Sequence, residues 1–185
     1  MRAIILSKNG NVNQLKYTEL PLPQLNKGEV LVQNKAIGIN PIDLKTKNGN
    51  GIYPKLENEN PLILGWELSG VVTQSRSEKF DEGDEVFGLI NFPGHGKTYA
   101  EYVACPTAHL VKKPSNCSHF EAAGTSLAAL TAYQSLVHLA GLKSLQKILI
   151  HAASGGVGHF AVQIAKHLGA YVTGTSSEKN KEFVL

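Results

Sequence analysis

Lys147-Ile148-Leu149-Ile150-His151-Ala152-Ala153-Ser154-Gly155-Gly156-Val157-Gly158 decides how this chain is read. Lys147 to Ala152 is a short apolar run of the kind that forms a buried strand. Gly155 to Gly158 then forms a tight turn. Val157 to Leu168 continues as an amphipathic helix, with Val162, Ile164, Ala165 and Leu168 on its inner face. Gly169 suits the left-handed residue that closes a helix C-terminus. Tyr171 to Thr175 supplies a second strand. The order strand, turn, helix, strand predicts a parallel unit, because parallel neighbours need a crossover helix between them.

The turn also carries chemistry. Ala153, Gly155 and Gly158 stand at the three glycine positions of the fingerprint G-x-G-x-x-G. A side chain at the second position would block a pyrophosphate, and one at the third would hold the helix off the strand. A helix N-terminus offers backbone N–H donors and a partial positive charge. Ser154, Gly155, Gly156, Val157 and Gly158 are therefore candidates to cradle a dinucleotide, and the flanking strands and helix make the pattern specific. An acid for the ribose 2′-hydroxyl is expected about 20 residues after the motif. Ser176 stands eighteen residues past Gly158, followed by Ser177 and Lys179. Hydroxyls and a lysine suit a 2′-phosphate, so NADPH is preferred to NADH. Glu178 is the dissenting residue, since a shift of two would give it the ribose role.

Upstream, the first 117 residues are β-rich. β-Branched runs recur at Ala3 to Leu6, Val30 to Ile39, Leu68 to Thr73, Glu85 to Leu89, Tyr99 to Cys105 and Leu110 to Lys112. Turn signals such as Lys27-Gly28, Gly83-Asp84 and Pro93-Gly94 separate them, which predicts a barrel or sandwich. One short helix interrupts: Asn40 caps it, Pro41 opens it, and Asp43 places an acid in its first turn. The character changes at Ser118. Ser118-His119-Phe120-Glu121 has the form of a capping box, and an Ala/Leu-rich helical stretch runs to about Leu139, broken near Gly124 to Ser126. The expected division is residues 1–117 and residues 118–185.

Composition narrows the class. The 185 residues are 42% hydrophobic and 18% charged, a foldable mixture rather than a disordered one. A net charge of +3 is too small to argue for nucleic acid or an anionic membrane. No apolar run approaches the ~20 residues of a membrane helix, and the first ten residues read as a strand rather than a signal peptide. Cys105 and Cys117 make no disulfide framework and no zinc spacing, and the seven histidines show no paired ligand spacing. A reducing cytoplasm is the simplest compartment.

The ordered stretches Gly38-Ile39-Asn40-Pro41-Ile42-Asp43, Gly65-Trp66-Glu67-Leu68-Ser69-Gly70, Gly83-Asp84-Glu85-Val86-Phe87-Gly88, Tyr99-Ala100-Glu101-Tyr102 and Leu130-Thr131-Ala132-Tyr133, with the glycine turn, span almost all of the chain. Together they resemble the medium-chain dehydrogenase/reductase superfamily, and within it the zinc-independent quinone oxidoreductases. The resemblance implies a GroES-like, partly open β-barrel followed by the start of a Rossmann doubly wound parallel sheet, with the active site between the two. It implies hydride transfer from NADPH to a quinone, or to a related enone. A non-catalytic NADPH-binding protein is the reading from another class. The zinc branch has Cys where Asn40 stands and His where Trp66 stands, so no metal is expected. By resemblance Asn40 and Thr131 lie at the nicotinamide end. Asn40 also reads as a helix cap, and Thr131 as a threonine bonded to its own backbone. Tyr53 matches a tyrosine lining the acceptor pocket; a loop tyrosine packing on the barrel is its alternative reading. The other pocket tyrosine of the family is absent, with Leu44 and Lys45 in that stretch. The resemblance further implies a homodimer. The single β-turn-α-β unit suggests the N-terminal part of a longer chain, since a doubly wound sheet uses about six strands.

Overall fold

The computed structural model describes residues 1–184, which divide into two compact units, Met1–Ser126 and the residues from Leu127 on. In the first unit, strand β1 (Arg2–Leu6) pairs antiparallel with β2 (Leu15–Glu19). Strand β3 (Glu29–Gly38) leads into helices α1 (Pro41–Lys47) and α2 (Tyr53–Leu56). Strands β4 (Glu67–Ser75), β5 (Glu85–Leu89), β6 (Tyr102–Pro106) and β7 (Leu110–Lys112) complete an antiparallel sheet in the order β6-β3-β4-β5-β7. Helix α3 (His119–Ala123) packs on β3, β4 and β5.

The run expected as a strand from Tyr99 to Cys105 is divided between two partners. Tyr102 onward pairs with β3. Tyr99 and Ala100 instead reach β1: the Ile4 N–H donates to the Tyr99 carbonyl at 2.9 Å, and Ala3 bridges Ala100. This segment joins the small hairpin to the large sheet and closes one side of a partly open barrel. The Asn34 side chain stitches the same place, donating to the Thr98 and Ala100 carbonyls at 3.0 and 2.7 Å. It stands at a register irregularity between β3 and β4, where such a bulge bends the strand.

Two apolar clusters fill this unit. Val30, Val32, Leu68, Val72, Val86 and Leu110 are the centre of one, buried between sheet and loops. The other gathers Leu6, Ile52, Leu56, Leu62, Leu64 and Trp66 under the hairpin and α2. Alternation along β3 to β5 supplies the first cluster, since only one set of side chains along each strand can point inward.

The second unit contains most of α4 (Ser126–Tyr133), a π-helical turn at Gln134–Leu139, strand β8 (Lys147–Ile150), α5 (Gly156–His167), strand β9 (Tyr171–Gly174) and the short α6 (Lys181–Val184). β8 and β9 are parallel, in register from Lys147 with Tyr171 to Ile150 with Gly174. The helical break near Gly124 is present, with Gly124 capping α3. α5 buries Ala161 and Ala165 against Ile150, Ala132 and Leu136. Gly169 has φ +80° and closes α5 as expected. Among the described residues no helix is long and apolar enough to cross a membrane.

Candidate functional site

The residues singled out from sequence lie in both units, and within the first unit Asn40 and Tyr53 have different surroundings. In the first unit, Asn40 follows β3 and precedes Pro41 of α1. It forms a capping box with Asp43, whose Oδ2 accepts the Asn40 N–H at 2.7 Å. The Asn40 amide nitrogen donates to Glu67 Oε2 at 2.5 Å. Asp43 and Glu67 are both buried. Burial raises the Asp43 carboxyl above the usual range, against the lowering effect of the Asn40 N–H. Tyr99 faces Asp43, and burial together with that carboxyl pushes its phenol upward.

Trp66 is buried, donates from Nε1 to the Gly94 carbonyl at 2.6 Å and meets Phe92 edge-on at 5.8 Å. It packs the barrel, as its bulk favours. Tyr53 opens α2, where a loop was expected; it is half-buried and packs partly against the Trp66 cluster. Its other surroundings form an open concavity of about 430 Å³ with Ser7, Lys8, Glu57 and Asn60. Leu44 and Lys45 are exposed on α1. Among the described residues no three His, Cys, Asp or Glu side chains cluster as metal ligands would. Cys105 is buried and Cys117 half-buried; both thiols are free.

In the second unit the glycine turn has the form of a phosphate cradle. Gly155 caps α5 in an extended conformation, and its N–H donates to the Ala152 carbonyl at 2.8 Å. A Cβ on Gly156 would meet nothing within 4 Å, whereas one on Gly158 would lie 2.9 Å from Ala153 Cα. Gly156 thus leaves the ground above the helix end open, and Gly158 lets α5 press against the strand. The first N–H groups of a helix have no intrahelical acceptor and point along its axis. This geometry fits a dinucleotide pyrophosphate.

Beyond β9, the Thr175 hydroxyl accepts the Ala152 N–H at 3.3 Å and lies 3.2 Å from His151 Nδ1. The Thr175 carbonyl accepts the Ala153 N–H at 2.8 Å. These bonds hold the segment after β9 beside the turn. Ser176, Ser177 and Lys179 are all exposed there, as is Glu178. Ser176 Oγ donates to the Ser177 carbonyl at 3.0 Å, and Ser177 caps the 3₁₀ turn Glu178–Asn180. Asn180 donates to Ser154 Oγ at 3.0 Å, so Ser154 is already engaged. The exposed Thr131 hydroxyl donates to the Leu127 carbonyl at 2.7 Å, the backbone-bonded arrangement.

Three contributors escaped the sequence reading. Glu67 lay within a recognised stretch but received no role. An acid in the apolar run Leu62 to Val72 is the signal, since a buried carboxylate must find donors. Thr175 and Asn180 carry no such signal, because polar residues after a strand are ordinary.

Comparison with known proteins agrees with this architecture. Residues 26–115 match the alcohol dehydrogenase GroES-like domain. The chain is 37% identical over 182 residues to a chloroplastic quinone-oxidoreductase homologue of Spinacia oleracea, covering 95% of this chain and 55% of that protein. The solved quinone oxidoreductase of Coxiella burnetii superposes with a TM-score of 0.92 at 38% identity, over all of this chain and 59% of that one. The CurK enoyl reductase superposes with a TM-score of 0.88 at 31% identity, over 99% and 56% of the two chains. The chain therefore spans about half the length of these relatives.

The fold is a GroES-like β-rich domain followed by the opening β-α-β unit of a Rossmann-type sheet. The chain belongs to the medium-chain dehydrogenase/reductase superfamily, as a homologue of quinone oxidoreductases.

Proposed function

We propose that this chain belongs to an NADPH-dependent oxidoreductase that reduces a quinone, or a related electrophilic acceptor, without zinc. The observation that carries the proposal is the glycine turn, open above Gly156 and tight beneath Gly158, at the head of a helix of 12 residues. Ser154, Gly155, Gly156, Val157 and Gly158 would hold the pyrophosphate, chiefly through backbone N–H groups. Ser176, Ser177 and Lys179 would meet the 2′-phosphate, two hydroxyls and a cation for a dianion. Thr131 and Asn40 would face the nicotinamide end. When bound, the nicotinamide supplies the hydride. Tyr53 would orient the acceptor and steady the charge that develops on its oxygen. The acceptor's proton would come from water. Two free thiols suit a reducing compartment such as the cytoplasm. A two-fold homodimer is the simplest closed assembly.

A second reading, reduction of an enone double bond, rests on the similarity to an enoyl reductase. Following NADPH oxidation with a simple quinone and with a conjugated enone, both in EDTA, separates the two. Quinone turnover that survives EDTA is the expected outcome. Turnover with the enone alone would move the proposal to the second reading. Binding without either activity would leave a non-catalytic NADPH-binding protein. Ser176→Ala with Lys179→Ala should weaken NADPH at least tenfold, on the order of one charge-assisted bond, and leave NADH nearly unchanged. Equal losses for both cofactors would assign the 2′-phosphate elsewhere.

A further inference from the structure

We propose that Glu67 is the positioning residue for Asn40, setting which hydrogen-bonding group Asn40 offers a ligand. The proposal rests on the reading of Asn40 at the nicotinamide end. Its starting point is register: Gly38, the last residue of β3, pairs with Glu67, the first of β4. Asn40 lies two residues beyond that pair, so the β3–β4 ladder delivers a carboxylate beneath it. Space confines the carboxylate. A Cβ on Gly38 would fall 2.9 Å from Glu67 Cβ and 2.8 Å from the Ala123 carbonyl. Glu67 is itself buried, at 1% exposure.

An ionised carboxylate only accepts hydrogen bonds. Asn40 turns its amide nitrogen to Glu67 Oε2, the orientation that pairs a donor with an ionised carboxylate. The amide oxygen is then turned away from Glu67, and the Asp43 N–H donates to the Asn40 main-chain carbonyl at 3.0 Å. One Nδ2 hydrogen is spent on Glu67, and the second remains for an acceptor outside the pair. Asn40 so held presents a donor of fixed direction. The ligand atom it recognises is an oxygen acceptor, a carbonyl or hydroxyl oxygen, rather than an N–H. Without Glu67 the amide would be free to rotate and would offer either face.

The test compares Glu67→Leu, Glu67→Gln, Asn40→Ala and the double variant Asn40→Ala/Glu67→Leu. Gln keeps an acceptor oxygen of the same reach; Leu removes it while filling space. The first readout is the pair of Asn40 side-chain amide resonances, assigned by their loss in Asn40→Ala. They should move markedly toward solvent-like positions in E67L and stay near their original positions in E67Q. Unmoved resonances in E67L would overturn the proposal whatever the activity. The second readout is kcat/KM for the reduced acceptor. Asn40→Ala and E67L should each lower it about tenfold, on the order of one oriented hydrogen bond, with E67Q restoring most of it. The double variant should be no worse than either single one, because Glu67 acts through Asn40. Losses that multiply would assign Glu67 an independent, merely structural role. Asn40→Ala with undiminished kcat/KM and NADPH affinity would remove Asn40 from the cofactor reading. The amide resonances would still decide whether Glu67 holds it.

Discussion

The two units bury their apolar residues very differently. In the first, Val30, Val32, Leu68 and Val86 are sealed from solvent between a five-stranded sheet and the loops over it. In the second, the buried set is mostly small, Ala132, Ala161 and Ala165 with Leu136 and Ile150, while Leu139, Leu145, Leu149 and Tyr171 are all more than half exposed. The reason is geometric. A partly open antiparallel barrel still buries its own inner face, whereas a two-stranded parallel sheet with its principal helix on one side covers only one face. Polar chemistry follows the same division. The first unit buries Asp43, Lys47, Glu67, Ser69 and Thr98 with the core. The second keeps His138, His151 and His167 and the whole segment from Tyr171 to Lys179, Val172 apart, exposed.

The sharpest break of this contrast would come from paired truncations. Leu68→Ala should cost about 2–5 kcal/mol in urea unfolding, the range for a large side chain deleted from a core. Leu149→Ala, at a residue 54% exposed, should cost under about 0.5 kcal/mol. Comparable losses would mean that Leu149 is covered in the working protein and that the contrast belongs to this chain alone.

Within the second unit, Gly158→Ala should destabilise by about 1–3 kcal/mol and weaken NADPH binding, because its Cβ has no room against Ala153. Gly156→Ala should leave stability nearly unchanged, having open space around it. Thermal unfolding with and without NADPH measures both. Equal stability of the two variants would show that helix and strand are not held as closely as the turn requires.

A smaller effect, within the first unit, is read by pH. His95 is mostly buried and desolvated, which lowers its pKa below the usual value; its Nε2 accepts the Ile63 N–H at 3.1 Å and its Nδ1 lies 2.9 Å from Glu59. A neutral ring suits the bond from Ile63, which needs an unprotonated Nε2, and leaves Nδ1 facing the Glu59 carboxylate. The folded state thus holds a proton less readily than the unfolded chain. Stability is full above the unfolded value near pH 6.5 and falls as pH drops below it. His95→Gln should flatten the fall in unfolding free energy between pH 7 and 5. An unchanged slope would place the acid sensitivity in another group.

The smallest expected effect concerns Asp43. Its raised pKa has the opposite sign: the stabilising contribution is present below the unfolded value near pH 4 and is lost as pH rises through the folded one. Asp43→Asn keeps an acceptor for the Asn40 N–H and should remove that loss above pH 4. Denaturant midpoints across pH 4 to 7 would read it, and an unaltered profile would show that the Asn40 N–H compensates burial fully.

Much of this is legible in the sequence. The β-branched runs marked β1, β3, β4, β5 and β7 because alternating or fully buried strands leave a periodic trace. Strand β2 left none: Leu15-Lys16-Tyr17-Thr18-Glu19 is largely exposed, and it is a strand because Leu15 to Glu19 pair with Leu6 to Arg2. Helix α2 was hidden for another reason, since Tyr53-Pro54 reads as a loop and only Pro at the first turn permits the helix. At the candidate site, the glycine turn was plain from spacing. The commitments of Ser154 to Asn180 and of Asn40 to Glu67 were not, because each joins residues 26 or 27 positions apart.

Sequence alone determined the local grammar of this protein: which runs extend, where Asn40, Ser118 and Gly169 begin and end helices, and that a glycine turn precedes α5. These depend on backbone sterics and on donors within a few residues of one another. Tertiary structure decided which polar groups are spent. Tyr99 leaves one sheet for another, Trp66 turns its N–H to Gly94, and Glu67 comes to lie under Asn40. Those outcomes depend on strand register and on space such as that beside Gly38, and a hydrogen bond across a ladder exists only once the ladder has formed.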